Sequence, residues 1–398
     1  DLDSSGHFCS NEVSNFIGPV SQTNTAAGTE VTDISQDDTT ATAQVIVAVN
    51  DCDQSGPGDN LAQCSNDVSN SISSITQSSD ATGDQFTDIF QDNLAALAQF
   101  SDVGNDCNET TLILTSANND AVCKNIADNF IGPVVQTNTA TGEFDTLIDQ
   151  DNTVAVSQSL EADNTCDGSS TSSVFCGNLD AGNSISSITQ SNDADDVLDS
   201  SSTQSNIAAL AQSMVLLNDC DETEAGINDA SCSNIEPANF IGPISQTSTN
   251  QAGDEADTAT NDQSNIAAIA QSLEAENNCD EGGAGDNLAG CNNLDLSNSI
   301  SSITQSNIAV PVADDFVQDN LLAMAQSIEA TNDCDEEGDG NNGFGVDICS
   351  NEVSNFIGPV GQSNTAAGTE VTDISQFDTA AVAQAIVAAN DCDQSGPG

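Results

Sequence analysis

The sequence predicts an all-β fold: a disulfide-braced tandem repeat of the β-arch or β-solenoid kind, with seven units of about 57 residues. Three observations predict it. Fourteen cysteines recur with near-constant spacing, apolar and amide residues alternate at period 2 in every unit, and glutamine returns at near-constant distances after the first cysteine of each unit.

The cysteine spacing defines the units. Separations from first to second cysteine are 43, 43, 43, 44, 47, 43 and 43 residues, and those from one unit to the next are 12, 16, 10, 12, 12 and 15. A constant body with a variable connector describes a structural unit joined by surface loops. The units run 1–58, 59–115, 116–171, 172–225, 226–285, 286–342 and 343–398. Odd units carry NFIGPV or NFIGPI and even units carry NSISSITQS. Residues 9–58 and 349–398 share 43 of 50 positions, and the phrase NDCDQSGPG occurs at both 50–58 and 390–398.

The later part of each unit admits two local readings. SNIAALAQSMVLL (205–217) fits an amphipathic helix, with Asn206 as cap. The equivalent slot in unit 1, TTATAQVIVAV (39–49), is a β-branched run that suits a strand. Equivalent slots share one fold, so strand is the reading for all seven. One face then carries Gln263, Asn265, Ala267, Ile269, Gln271, Leu273, Ala275 and Asn277 in unit 5, and unit 6 repeats the pattern from Gln318 to Asn332. The earlier part alternates through Val13, Asn15 and Ile17, slips at Gly18-Pro19, and resumes at Val20, Gln22 and Asn24. Gly-Pro there marks a kink or bulge. AAGTE (26–30) is the turn that folds the unit back.

A buried amide is costly without partners, and stacked in-register copies supply them. Three columns are expected on that basis. They are Gln22, Gln77, Gln136, Gln190, Gln246, Gln305 and Gln362; Gln36, Gln91, Gln150, Gln204, Gln263, Gln318 and Gln376; and Gln44, Gln99, Gln158, Gln212, Gln271, Gln326 and Gln384. QDNLAALAQ (91–99), QSNIAALAQ (204–212) and QSNIAAIAQ (263–271) contain N-x-A-x3-Q, and SISSITQ (71–77, 184–190, 299–305) contains S-x5-Q. These fragments resemble the curlin repeat of secreted bacterial curli fibres, S-x5-Q-x-G-x2-N-x-A-x3-Q. The resemblance implies stacked β-arch rungs in an extracellular functional amyloid. This chain departs from the repeat in lacking its glycine, in its longer period and in its cysteines. Val154 and Leu322 replace the alanine, and Asp38 and Asp378 replace the asparagine.

Fourteen cysteines in a chain with 64 acidic residues, one lysine and no arginine read as seven disulfides made in an oxidising compartment. Pairing within units is expected, because the constant body holds two Cα atoms in place more readily than a variable loop does. The pairs are Cys9–Cys52, Cys64–Cys107, Cys123–Cys166, Cys176–Cys220, Cys232–Cys279, Cys291–Cys334 and Cys349–Cys392. The alternative pairs cysteines across connectors and leaves Cys9 and Cys392 to join successive subunits.

The second cysteine opens an acidic segment in which Asp51, Asp53, Ser55 and Gly56 copy the start of an EF-type calcium loop, with Asp59 beyond. Asp280, Asp286, Asp333, Asp335 and Asp339 are the counterparts in units 5 and 6. A solvated acidic turn explains the same residues. No cofactor is required by the sequence; calcium or other divalent cations, and glycans, are the candidate ligands of these loops.

The formal charge of −63 opposes nucleic acid and anionic membranes, and no apolar run has the length of a spanning helix. Position 1 is Asp, so any secretion signal is expected to be gone already. With His7 as the one histidine and no nucleophile triad, GxGxxG or P-loop, no catalytic constellation is expected. The sequence therefore points to a non-enzymatic structural protein that polymerises with itself, head to tail, through stacked β-strands with Gln/Asn ladders, in an extracellular fibre, sheath or cell-surface layer. Tail to head, 14 residues would separate Cys392 from the next Cys9, within the span of the internal connectors. The alternative is a calcium-dependent adhesin or surface-layer repeat protein.

Overall fold

In a computed structural model, residues 5–29, 33–56, 60–111, 119–144, 146–168, 172–196, 201–222, 228–252, 260–282, 287–310, 315–337, 346–366 and 373–395 are described. Nearly all of them are strand, and among them there is no helix. The strand reading of 205–217 holds: Ser201–Glu222 is one continuous strand with alternating burial. β-Branched and alternating apolar side chains suit a pleated, half-buried surface, and here they meet copies of themselves on both sides.

Each unit contributes to all three parallel sheets, with one strand segment in each, except that units 4 and 5 supply two to sheet 1 and unit 1 supplies two to sheet 3. In unit 1, Ser5–Ile17 lies in sheet 1, Val20–Gly28 in sheet 2, and the long Ile34–Asp51 in sheet 3. The Gly18-Pro19 kink is the corner between sheets 1 and 2, and the returning strand starts at Ile34. The returning strand runs back across both earlier segments. Thus Gln22 Nε2 donates to the Thr39 carbonyl, Asn15 Nδ2 to that of Val45, and Asn11 Nδ2 to that of Val49. The unit is a flat β-arch, and seven such rungs stack.

Register is kept residue for residue in sheets 2 and 3. Gln36 pairs with Gln91, then Gln150, Gln204, Gln263, Gln318 and Gln376 through sheet 3. The 3.3 Å rise per residue lies across the stack and the 4.7–4.9 Å strand spacing along it. The interior alternates apolar and amide layers. Ile72, Ile75, Leu97, Val156, Leu210 and their equivalents form one apolar layer, and Leu160, Met214, Val68 and Ala127 belong to another.

Units 4, 5 and 6 contain one residue more between the first cysteine and the first ladder glutamine than the others. The extra residue is absorbed in sheet 1. Asp180, Glu236 and Asp295 take positive φ (53°, 58° and 59°) where the strand is interrupted or its register shifts, between Leu179 and Gly182, Ile235 and Ala238, and Asn293 and Leu296. A bulge keeps the alternation in phase on either side of the insertion.

Cysteines cap the open end of the arch, and here the expected connectivity is corrected. The bridges run across connectors: Cys52–Cys64, Cys107–Cys123, Cys166–Cys176, Cys220–Cys232, Cys279–Cys291 and Cys334–Cys349. They replace Cys9–Cys52, Cys64–Cys107, Cys123–Cys166, Cys176–Cys220, Cys232–Cys279 and Cys291–Cys334. Cys349 also stands at bonding contact with Cys392, although one sulfur forms one disulfide. The reason is the climb of the chain. Each turn rises one strand spacing, so a second cysteine sits between the first cysteine of its own rung and that of the next. The sulfurs of Cys64, Cys107 and Cys123 accordingly all lie within 4.8 Å of one another. The constant body does hold its cysteines in place, but it holds them midway between two partners.

Candidate functional site

The surface that matters in a stack is the one a rung presents to the next. Its principal groups are amides. In the first Gln column Gln77 Nε2 donates to Gln22 Oε1 at 3.0 Å, and Gln136, Gln190, Gln246, Gln305 and Gln362 repeat the step at 2.8–2.9 Å. The second column, from Gln91 to Gln376, does so at 2.6–2.9 Å. The third, from Gln99 to Gln384, does so at 2.7–2.8 Å. The structure thus brings every predicted ladder glutamine into its column. In all three, the amide donates to the preceding rung.

Asparagine columns run beside them with the opposite sense. Asn11 Nδ2 donates to Asn66 Oδ1, Asn66 to Asn125, Asn125 to Asn178, and so on to Asn351. Asn50, Asn105, Asn164, Asn218, Asn277 and Asn332 form the facing column, which ends on Asn390. Cross-bonds such as Asn50 Nδ2 to Asn66 Oδ1 (2.9 Å) zip the two together. The sequence predicts ladders of both amides, but residue by residue only the glutamine columns are assigned from it. The missed signal was an asparagine two residues inside each cysteine of every unit.

The sheet 3 glutamines of units 1 to 6 also donate forward, to a carbonyl of the following rung. Gln36, Gln91, Gln150, Gln204, Gln263 and Gln318 reach Asp80, Thr139, Asp193, Thr249, Ile308 and Thr365 at 3.0–3.3 Å. Gln44, Gln99, Gln158, Gln212, Gln271 and Gln326 reach Ser71, Phe130, Ser184, Phe240, Ser299 and Phe356 at 3.0–3.2 Å. At Asp373–Ser395 no forward partner is found among the described residues, where Gln376 and Gln384 keep the bond down their columns. The apolar side chains of that strand are uncovered as well. Ile374, Val382 and Ile386 are 47–53% exposed, whereas their described apolar equivalents in earlier rungs are at most 8% exposed. At the opposite end, Ser5–Ile17 and Val20–Gly28 present an unpaired strand edge.

The acidic residues form a second feature. The Asp51-to-Ser55 segment does not curl into a calcium loop: Gln54–Gly56 is strand, paired with Glu109–Thr111. Asp51, Asp53 and Ser55 are exposed on one face while Cys52 and Gln54 are buried, so successive ligands stand ~7 Å apart along the strand. Asp280 and Asp333 are likewise exposed on strands, and Asp335 lies on the Asp315–Glu337 strand. Asp59, Asp286 and Asp339 lie outside the described residues. Register aligns Asp167, Asp221, Asp280, Asp335 and Asp393 in one file beside the cysteines. Burial raises the Asp221 carboxyl to about 6, with Asp219, Asp280 and Asp167 adding repulsion. Asp151, in a file with Asp92 and Asp37, is also raised to about 6, by burial and then by Asp149 and Asp92. Among the described residues, the groups of three or more metal-ligand side chains within 4.8 Å of one another are all cysteines of the disulfide column.

A shallow groove along sheet 3 is lined by Ala209, Ala268, Ala323, Ala381, Ile269 and Met324, among other apolar residues, and no titratable side chain lines it. The disulfides belong to an oxidising environment. No protein-family model, curated protein or solved structure matches the chain.

Proposed function

We propose that this chain is a non-enzymatic structural protein that polymerises by stacking its last rung on the first rung of another copy. The observation that carries the reading is the open Asp373–Ser395 face. Gln376 and Gln384 lack the forward carbonyls that the six earlier rungs receive, and Ile374, Val382 and Ile386 lie bare beside them. In a following copy, register makes the Thr25 and Phe16 carbonyls the missing acceptors, and Val13, Ile17 and Val20 the missing apolar cover. The polar columns match too. The last rung offers Gln acceptors and Asn donors, and the first rung offers Gln donors and Asn acceptors. Such a head-to-tail contact does not close, so it propagates as a filament.

The curlin-like motif glutamines Gln99, Gln212 and Gln271 are column members, which supports kinship of mechanism with stacked β-arch fibres. An extracellular fibre, sheath or surface layer is the setting that the disulfides and the charge favour. Native material is expected to be polymeric, with strand-spacing diffraction near ~4.8 Å along the fibre. The double variant Val382→Asp/Ile386→Asp alters side chains already open to water in a single chain, so the monomer's far-UV circular dichroism should persist while filaments vanish from electron micrographs. Filaments of normal abundance in that variant would sink the reading. Loss of the fold on chelation, in protein that stays monomeric, would favour the calcium-dependent adhesin instead.

A further inference from the structure

We infer that the junction between stacked copies is closed covalently, by a disulfide from Cys392 of one copy to Cys9 of the next. The inference rests on the stacking proposed above and adds a bond that stacking itself does not require.

The bridges across connectors set a rule: the second cysteine of a rung joins the first cysteine of the rung that follows. Five connectors hold the two Cα atoms 6.2–6.4 Å apart. Applied to the last connector the rule gives Cys334–Cys349; the exposed Cys392 also stands at bonding contact with Cys349, and with the one valence of that sulfur taken by Cys334, Cys392 keeps its own open. Applied to the first rung it leaves Cys9 free. These two thiols stand at the same two ends that the incomplete amide columns and the bare apolar face mark as incomplete. In sheet 1, Cys349 stands over Cys291 in register. A following copy in that register sets its Cys9 over Cys349, beside Cys392, as Cys349 stands beside Cys334. The column of sulfurs then continues unbroken from copy to copy.

The chemistry balances with a small oxidised disulfide such as oxidised glutathione as the electron acceptor. The Cys392 thiolate attacks it, forming a mixed disulfide and releasing one glutathione thiolate. Cys9 of the neighbouring copy attacks the Cys392 sulfur and expels the second glutathione thiolate. The two protons lost by the protein thiols go to the two released thiolates. Exposure of Cys392 and partial exposure of Cys9 leave the reagent access to both before docking.

The test assembles the intact chain with oxidised glutathione, blocks residual thiols with N-ethylmaleimide, denatures in guanidinium and separates without reductant. The expected result is a ladder at multiples of 40.6 kDa that collapses to monomer with dithiothreitol. Cys9→Ser and Cys392→Ser should each abolish the ladder yet still form filaments in micrographs, because the strands and amides remain. Peptide mapping should join the Cys9 peptide to the Cys392 peptide. Filaments that yield only monomers, or a map that pairs Cys349 with Cys392, would overturn the covalent joint and leave the stacking reading intact. Absence of filaments in every preparation would overturn the stacking reading itself.

Discussion

Gln158 offers the most direct test of the amide columns. Its Nε2 donates to Gln99 Oε1 (2.8 Å) and to the carbonyls of Asn129 (2.9 Å) and Ser184 (3.1 Å), and its Oε1 accepts from Gln212 (2.8 Å). Replacement by leucine orphans Gln99 Oε1 inside the stack and takes one of three acceptors from Gln212 Nε2, which keeps the carbonyls of Asn183 and Phe240. A buried orphan costs about 1–3 kcal/mol. Burying the leucine side chain returns about 2 kcal/mol. Including the two carbonyls and the Gln212 amide that each lose a bond, the net loss should be about 2–4 kcal/mol. Glutamate at the same place should cost more near neutral pH, since it aims a carboxylate at three acceptor oxygens, and should recover in part when acidified. A stacked array unfolds locally, so the suitable assay is native-state hydrogen exchange resolved by rung, with Ser157→Ala on the outer face as reference. Protection should fall in the rungs of Gln99, Gln158 and Gln212 and little elsewhere. A change below about 0.5 kcal/mol in those rungs would refute the claim that the columns stabilise the stack.

Three further outcomes are expected. Non-reducing peptide mapping should recover Cys52–Cys64 and its equivalents, and the double variant Cys166→Ser/Cys176→Ser should cost about 2.7 kcal/mol by the loop-closure relation for ten residues; recovery of Cys123–Cys166 would overturn this connectivity. Asp151, Asp221 and Asp128 are all raised to about 6 from 3.8, so between these values the folded chain keeps protons that the unfolded chain has released. Stability should therefore be greatest below about pH 4 and decline as pH rises through about 6, and a melting temperature higher at pH 7.5 than at pH 4.5 would contradict it. Gly132→Ala sets a Cβ 1.3 Å from the Ser73 carbonyl oxygen, whereas at Gly18 a Cβ meets nothing nearer than the Phe16 ring at 3.9 Å. The first should cost about 3 kcal/mol or more and the second almost nothing to a single chain; equal melting temperatures would show that the corner yields.

Much of this architecture was legible because a repeat supplies its own controls. One unit's TTATAQVIVAV decides the fate of another unit's SNIAALAQSMVLL, and the paired glutamines that stay eight residues apart through seven copies are held by something. What stayed hidden lies along the stacking axis, which sequence spacing does not record. Cysteine pairing turns on about half a strand spacing of height, roughly 2.4 Å, and the constant 43-residue body is compatible with either partner. The one-residue insertions in units 4 to 6 were visible as numbers, but their accommodation at Asp180, Glu236 and Asp295 depends on which strand has room to buckle. Asp51, Asp53 and Ser55 match a calcium loop letter by letter, yet strand pairing of Gln54–Gly56 with the neighbouring rung outcompetes the turn.

The opposed sense of the two amide types has a consequence for size. Peptide dipoles aligned along an α-helix add up to a macrodipole. Columns of side-chain amides all donating one way would likewise build a field with every rung added. Here the glutamine columns point their donors toward the first rung and the asparagine columns point theirs toward the last, so their dipole moments largely cancel. Lengthening the stack therefore accumulates no end-to-end polarisation from these groups, and they set no electrostatic limit on its length.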